Sequence, residues 1–277
     1  MSDSVEKNPW DALRAFTNAR IALGRAGNSV PTAPLLAFNL SHAQARDAVH
    51  HPLDAAALHR QLREHGFAAT LDVHSAAPDR EHYLRRPDLG RRLSDESRDL
   101  LAKAASASQP DVVFVVADGL SAVAAAKQSV PMLHAIQARL QQDWEMGPVV
   151  VARQARVALG DEIGEMLRAR IVVMLIGERP GLSSPDSLGI YLTYAPKVGC
   201  SDAQRNCISN VRPEGLNFDA AAHKLHYLLT HARRLGLTGV GLKDESDALL
   251  EATAAAGNAS LAGGSVSASG DNPSDMR

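Results

Sequence analysis

Glu178 and Arg179 stand side by side in Gly177-Glu-Arg-Pro-Gly-Leu-Ser-Ser184, directly after the apolar run Ile171-Val-Val-Met-Leu-Ile176. A carboxylate at the mouth of a hydrophobic strand can accept hydrogen bonds from a ligand's hydroxyl or amide groups. Gly177 permits close approach and Pro180 stiffens the loop. The competing reading is an ordinary surface ion pair between Glu178 and Arg179. Farther on, Arg205-Asn-Cys-Ile-Ser-Asn210 gathers polar groups around Cys207.

Other chemistry-bearing patterns are weaker. Gly119-Leu-Ser121-Ala-Val123 nearly matches the nucleophile elbow of an α/β hydrolase, in the right strand–turn–helix setting. Val123 occupies the place of the second glycine, so Ser121 reads as a helix cap, with a stand-alone hydrolase as the alternative. His223, His226 and His231 lie along one helix, whereas structural zinc sites draw ligands from separate elements; a solvated face is preferred and no metal site is expected. Cys200 and Cys207 have no second ligand pair. Gly239-Val-Gly241 lacks the third glycine and the helix of a dinucleotide fingerprint. Arg85, Arg86, Arg91 and Arg92 read as a solvated face, although arginine also favours interfaces.

The elements that must position these residues follow from periodicity. Asn8 caps and Pro9 opens a first helix with Trp10, Leu13, Phe16 and Ile21 on its stripe, ended by Gly24 and Gly27. Helices over about 33–50 and from Asp54 to Gly66 complete a helical portion, residues 1–66. Phe67, Ala69, Leu71 and Val73 alternate as a strand. Tyr83–Leu93 reads as an arginine-rich loop before a helix near 95–106. From Val112 onward strands and helices alternate. Strands are expected at 112–116, 149–151, 171–176 and 188–194, with helices after Ser121, after Pro131, at 160–169 and at 219–235. The fold class is α/β, a doubly wound, mainly parallel sheet with flanking helices over residues 67–243. Ligands bind beyond the carboxyl ends of such strands, which directs attention to Asp118, Arg153–Val157 and Gly177. The Ala/Ser/Gly-rich stretch 244–277 reads as disordered.

A formal net charge of -2 and 4% aromatic content argue against nucleic acid as a partner. No run reaches the roughly 20 apolar residues that span a bilayer, so no membrane association is expected. Met1–Lys7 is polar and does not read as a secretory signal. Two cysteines make no disulfide scaffold and point to a reducing, cytoplasmic setting.

Five segments together resemble a known family. Arg20-Ile-Ala-Leu-Gly-Arg-Ala-Gly27, Tyr83-Leu-Arg-Arg-Pro-Asp-Leu-Gly-Arg-Arg-Leu93, Asp118-Gly-Leu-Ser121, Gly177-Glu-Arg-Pro-Gly-Leu182 and Cys207-Ile-Ser-Asn210 are similar to the small (light) subunit of ethanolamine ammonia-lyase, over about residues 9–243. The resemblance implies an adenosylcobalamin-dependent radical conversion of ethanolamine to acetaldehyde and ammonia. It implies a hetero-oligomer in which the large subunit, a barrel, holds the ethanolamine and this chain closes over the cofactor. Motif matching puts the chain's cofactor contacts on Val157, Glu178 and Cys207 and no catalytic residue on this chain. The cofactor keeps its own dimethylbenzimidazole below cobalt (base-on). No protein histidine is then required, in keeping with Asp72-Val-His74, where Ala77 replaces the glycine of a histidine-supplying motif. A bacterial microcompartment is the second address that the resemblance brings, beside the open cytoplasm.

Overall fold

Four apolar runs form the parallel part of a six-stranded sheet. They are β1 (Thr70–His74), β2 (Val112–Ala117), β3 (Val149–Arg153) and β4 (Ile171–Gly177). Every residue of β2 and β4 is buried, as in strands covered on both faces. Two further strands, β5 (Leu188–Tyr194) and β6 (Arg205–Val211), complete the order β1-β3-β2-β4-β5-β6. The computed structural model describes residues 5–105, 108–140 and 144–247. Met1–Leu242 form one compact unit, and the account below concerns that unit. Most of the stretch read as disordered, 248–277, lies outside the described residues.

The sheet corrects the expected fold class in part. It is α/β with helices on both faces, but β5 runs antiparallel to β4, and β6 antiparallel to β5. The reason lies in the connection. Residues 178–187 between β4 and β5 contain no helix, and a parallel return needs a crossover of a dozen or more residues. β6 was read as a polar stretch because it is an edge strand with exposed positions at Cys207, Ser209 and Asn210.

Alternate residues of β2 enter separate cores. Val112, Phe114 and Val116 pack with Leu58 and Leu62 of α2 (Ala55–Glu64), Leu133 and Ile136 of α5 (Ala122–Gln137), and Leu225, Leu228 and Leu229 of α7 (Phe218–Leu235). Val113, Val115 and Ala117 pack with Leu101 of α4 (Asp95–Ala104) and with Leu159 and Ile163 of α6 (Leu159–Met166). Side-chain caps fix several helix starts: Asp54 accepts from the Ala57 amide, Ser94 from Ser97, Ser121 from Ala124 and Asn217 from Ala220. Each cap contributes about 1 kcal/mol.

The N-terminal reading also changes. Only a short 3-10 turn, Asp11–Phe16, forms after Asn8, with no buried residue. Asn8 Oδ1 accepts from the Trp10 amide, an Asx turn that competes with helix propagation. α1 (Thr32–His50) follows as expected. The arginine-rich segment contains a helix, α3 (Arg80–Arg85), capped by Asp79. Residues 122–137 form a single helix with Pro131 inside it rather than two.

One ion pair ties α6 to the antiparallel strands. Arg205 of β6 and Asp161 of α6 are 3% and 2% exposed, so the pair is shielded from water. Arg205 Nη2 donates to Asp161 Oδ2 at 2.7 Å and to the Cys200 carbonyl at 2.8 Å, and Nη1 donates to Thr193 Oγ1 at 3.0 Å. With its donors satisfied, the guanidinium anchors α6 over β5 and β6, leaving Cys207 on the same edge strand exposed.

Candidate functional site

The mouth of the site is built from glycine backbone. A Cβ on Gly177 would overlap the carbonyl oxygen of Ser121, and one on Gly119 would overlap that of Gly177. The Leu120 amide donates to the Gly177 carbonyl at 2.9 Å. Gly119 also has φ +52°, a conformation that glycine adopts without penalty. The Asp118–Ser121 turn and the start of the Gly177–Leu182 loop are thereby locked together at the carboxyl ends of β2 and β4.

Glu178 is half-buried beside this lock. Its carboxylate accepts from the Ser187 hydroxyl, and more distantly from the Asn210 amide at 3.3 and 3.4 Å. Its own amide donates to the Ser187 carbonyl at 3.0 Å. Gly189 on β5 leaves room for the side chain: a Cβ there would stand 3.1 Å from Glu178 Cγ and Oε1. Among the described residues Glu178 makes no ion pair with Arg179, which is exposed. The rival reading of a surface pair is therefore set aside. Arg20 reaches the same loop, donating to the Leu182 carbonyl at 3.1 Å.

Val157 sits on the other side of a concavity of about 160 Å³. Its wall comprises Tyr83, Gly119, Leu120, Arg156, Val157, Ile176, Gly177, Glu178, Arg179 and Tyr191. The 153–157 loop is held from beneath by Asp118, which is 2% exposed. Asp118 accepts from the Gln154 and Ala155 amides at 2.9 and 3.1 Å and from Arg80 Nη1 at 3.0 Å. Burial pushes the Asp118 carboxyl up, while Arg80 and the two amides oppose that shift. Arg80 also donates to the Gly119 carbonyl at 2.8 Å, joining both loops.

Cys207 does not line the concavity. It lies one strand outward, opposite Tyr191 in the β5–β6 ladder, where the Tyr191 hydroxyl acts on its thiol. Tyr191 does line the concavity. The groups crowding the Cys207 thiol push it above its ordinary range although the residue keeps surface exposure. The negative charge of Glu178 adds to that shift and the Tyr191 hydroxyl opposes it. Burial likewise raises the Tyr191 hydroxyl.

The structure brings Val157 and Glu178 together and connects Cys207 to them through Tyr191. It gives the competing hydrolase no support. Ser121 is fully buried, donates to the Pro185 carbonyl at 2.8 Å and accepts from the Ala124 amide at 3.1 Å, so it caps α5. His231 stacks on Tyr227 and engages its carbonyl at 2.8 Å. Of the arginine cluster, Arg85 pairs with Glu81 and Arg86 with Asp88, while Arg91 and Arg92 are exposed. Arg156, Tyr191 and Ser187 are not singled out by the sequence, whereas Asn210 falls in the polar stretch around Cys207. Tyr191 carries a signal there, as an aromatic hydroxyl inside an apolar strand whose hydroxyl must find a partner.

The model of the ethanolamine ammonia-lyase light chain (EutC) family matches residues 7–243. An ethanolamine ammonia-lyase small subunit of Ralstonia nicotianae is 58% identical over 253 residues, covering 90% of this chain and 93% of the relative. One of Pseudomonas fluorescens (strain Pf0-1) is 58% identical over 87% of this chain and 88% of its own length. One of Xanthomonas campestris pv. campestris is 56% identical over 91% and 94%. No helix among the described residues is long and apolar enough to cross a membrane. With the family model spanning residues 7–243, the chain belongs to the ethanolamine ammonia-lyase light chain family.

Proposed function

We propose that this chain is the small subunit of an adenosylcobalamin-dependent ethanolamine ammonia-lyase and that the face around Glu178 closes over the periphery of the cofactor. The observation that carries this reading is the anchored carboxylate of Glu178 at the rim of a concavity of about 160 Å³. Pockets that enclose a small molecule measure about 300–1,000 Å³. A site this small suits one edge of a large ligand whose remainder rests on another chain.

The residues present fit that task. Ser187 and Asn210 fix the Glu178 carboxylate yet leave it lone pairs with which to accept from amide N–H groups. Val157 offers an apolar surface and a loop backbone held by Asp118. Cys207 and Tyr191 extend the same face along β5 and β6. Covering the cofactor excludes water, which protects reactive intermediates. When bound, adenosylcobalamin supplies the radical chemistry by which ethanolamine becomes acetaldehyde and ammonia. It keeps its own dimethylbenzimidazole below cobalt, so this chain contributes no histidine ligand.

In this reading the large subunit binds ethanolamine, the two chains form a hetero-oligomer, and this chain is inactive alone. The setting is cytoplasmic, and a bacterial microcompartment is compatible with it. Purification of this chain, the large subunit and the co-expressed pair tests the division of labour. Lyase activity and tight cobalamin binding are expected only for the pair. Full turnover by the large subunit alone would reduce this chain to an assembly factor, and turnover by this chain alone would overturn the reading.

A further inference from the structure

Arg156 lines the concavity together with Glu178. Its guanidinium carbon stands 4.6 Å from the centroid of the Tyr83 ring. Its Nε is buried without a hydrogen-bond partner, and no ion pair or side-chain hydrogen bond engages its other nitrogens among the described residues. A half-buried guanidinium with unused donors is costly unless something else satisfies them.

The arginine is also held in place. Its amide donates to the Gly90 carbonyl at 2.8 Å. Tyr83 is fully buried and donates its hydroxyl to the Ala155 carbonyl at 2.9 Å, fixing the ring on which Arg156 rests. A Cβ on Gly90 would come within 2.8 Å of the Tyr83 ring and 3.0 Å of Arg156 Cγ, so only glycine fits there. The segment Tyr83–Leu93, which reads from sequence as an arginine-rich loop, is in part a cradle for an arginine outside it.

We infer that Arg156 is a further cofactor contact, donating hydrogen bonds to oxygen acceptors on the rim of adenosylcobalamin. This rests on the reading above. The rim offers two kinds of oxygen: the carbonyls of the corrin carboxamides and the phosphodiester of the nucleotide loop. A carboxamide presents N–H donors and a carbonyl acceptor together, and Glu178 with Arg156 supplies one acceptor and one donor set to match. Tyr83 and Gly90 are positioning residues that act through Arg156.

The test uses the assembled complex with the large subunit, titrated with adenosylcobalamin and with adenosylcobinamide, which lacks the nucleotide phosphate. Corrin absorbance reads binding, and size-exclusion chromatography confirms assembly. Arg156→Met is expected to weaken adenosylcobalamin binding about 10- to 100-fold, the size of a lost charge-assisted hydrogen bond. The same loss with adenosylcobinamide assigns the acceptor to a carboxamide, and a loss confined to adenosylcobalamin assigns it to the phosphodiester. Unchanged affinity for both overturns the inference while leaving the role of Glu178 intact. A wild-type complex that binds neither corrinoid would instead remove the underlying reading. Should Arg156→Met fail to assemble, Arg156→Lys keeps the charge but not the planar fork. Weaker binding of both or either corrinoid by that variant supports the inference, and wild-type affinity for both overturns it.

Discussion

Gly119 and Gly177 lie backbone against backbone where β2 and β4 leave the sheet, and neither position has room for a Cβ. The functional loops Asp118–Ser121 and Gly177–Leu182 are thus joined by main-chain packing, before any side chain takes part. Gly177→Ala is expected to cost about 1–3 kcal/mol, the usual range for forcing an atom into a filled space. Gly160 is a fair contrast. It lies in α6, and its Cβ would meet Met174 only at an ordinary 3.6 Å. Gly160→Ala should be neutral or stabilising by up to about 1 kcal/mol through helix propensity. Urea denaturation of both variants checks the pair, and equal midpoints would contradict the proposed lock.

The buried Arg205–Asp161 pair makes a second prediction. Replacing Asp161 by Asn leaves a guanidinium 3% exposed with only the solvent-exposed carboxylate of Asp202, 3.4 Å from its Nε, as counter-charge. The expected cost is about 3–5 kcal/mol. Removing both charges, as Asp161→Asn with Arg205→Met, should cost less than the sum of the two single variants, because each single variant strands a buried charge. Additive losses in a denaturation cycle would show that the two groups do not act as a pair.

A third prediction concerns Cys207 and carries a definite sign. Crowding and then the Glu178 charge raise its thiol, and the Tyr191 hydroxyl lowers it. Only the thiolate reacts with alkylating reagents. In a Cys200→Ser background, Cys207 should alkylate more slowly than a free thiol at pH 8. Glu178→Gln should speed the reaction by lowering the thiol's pKa, and Tyr191→Phe should slow it by raising it. A rate-against-pH profile resolves these shifts, and a Glu178→Gln profile moved toward higher pH would refute the arrangement.

The parallel half of the fold was legible because β2 and β4 are continuous apolar runs, which only a doubly covered strand requires. The antiparallel turn at β5 was not. Its direction follows from the helix-free connection 178–187, too short for a parallel crossover, and Leu188–Tyr194 itself carries no sign of direction. β6 escaped notice because its polar residues serve the structure: Arg205 is buried against Asp161, and Asn206 donates to the Leu242 carbonyl at 2.7 Å. At the site, Glu178 could be singled out by its place after a strand. Arg156 could not, because what distinguishes it is a ring more than seventy residues earlier in the chain and an Nε buried without a partner among the described residues.

The most direct measurement of the central claim is cobalamin affinity in the assembled complex, comparing wild type with Glu178→Ala. Loss of a hydrogen bond to a charged group predicts a Kd higher by about 10-fold or more, with assembly intact. An unchanged Kd in a complex of unchanged size would contradict the claim that this chain holds the cofactor through Glu178.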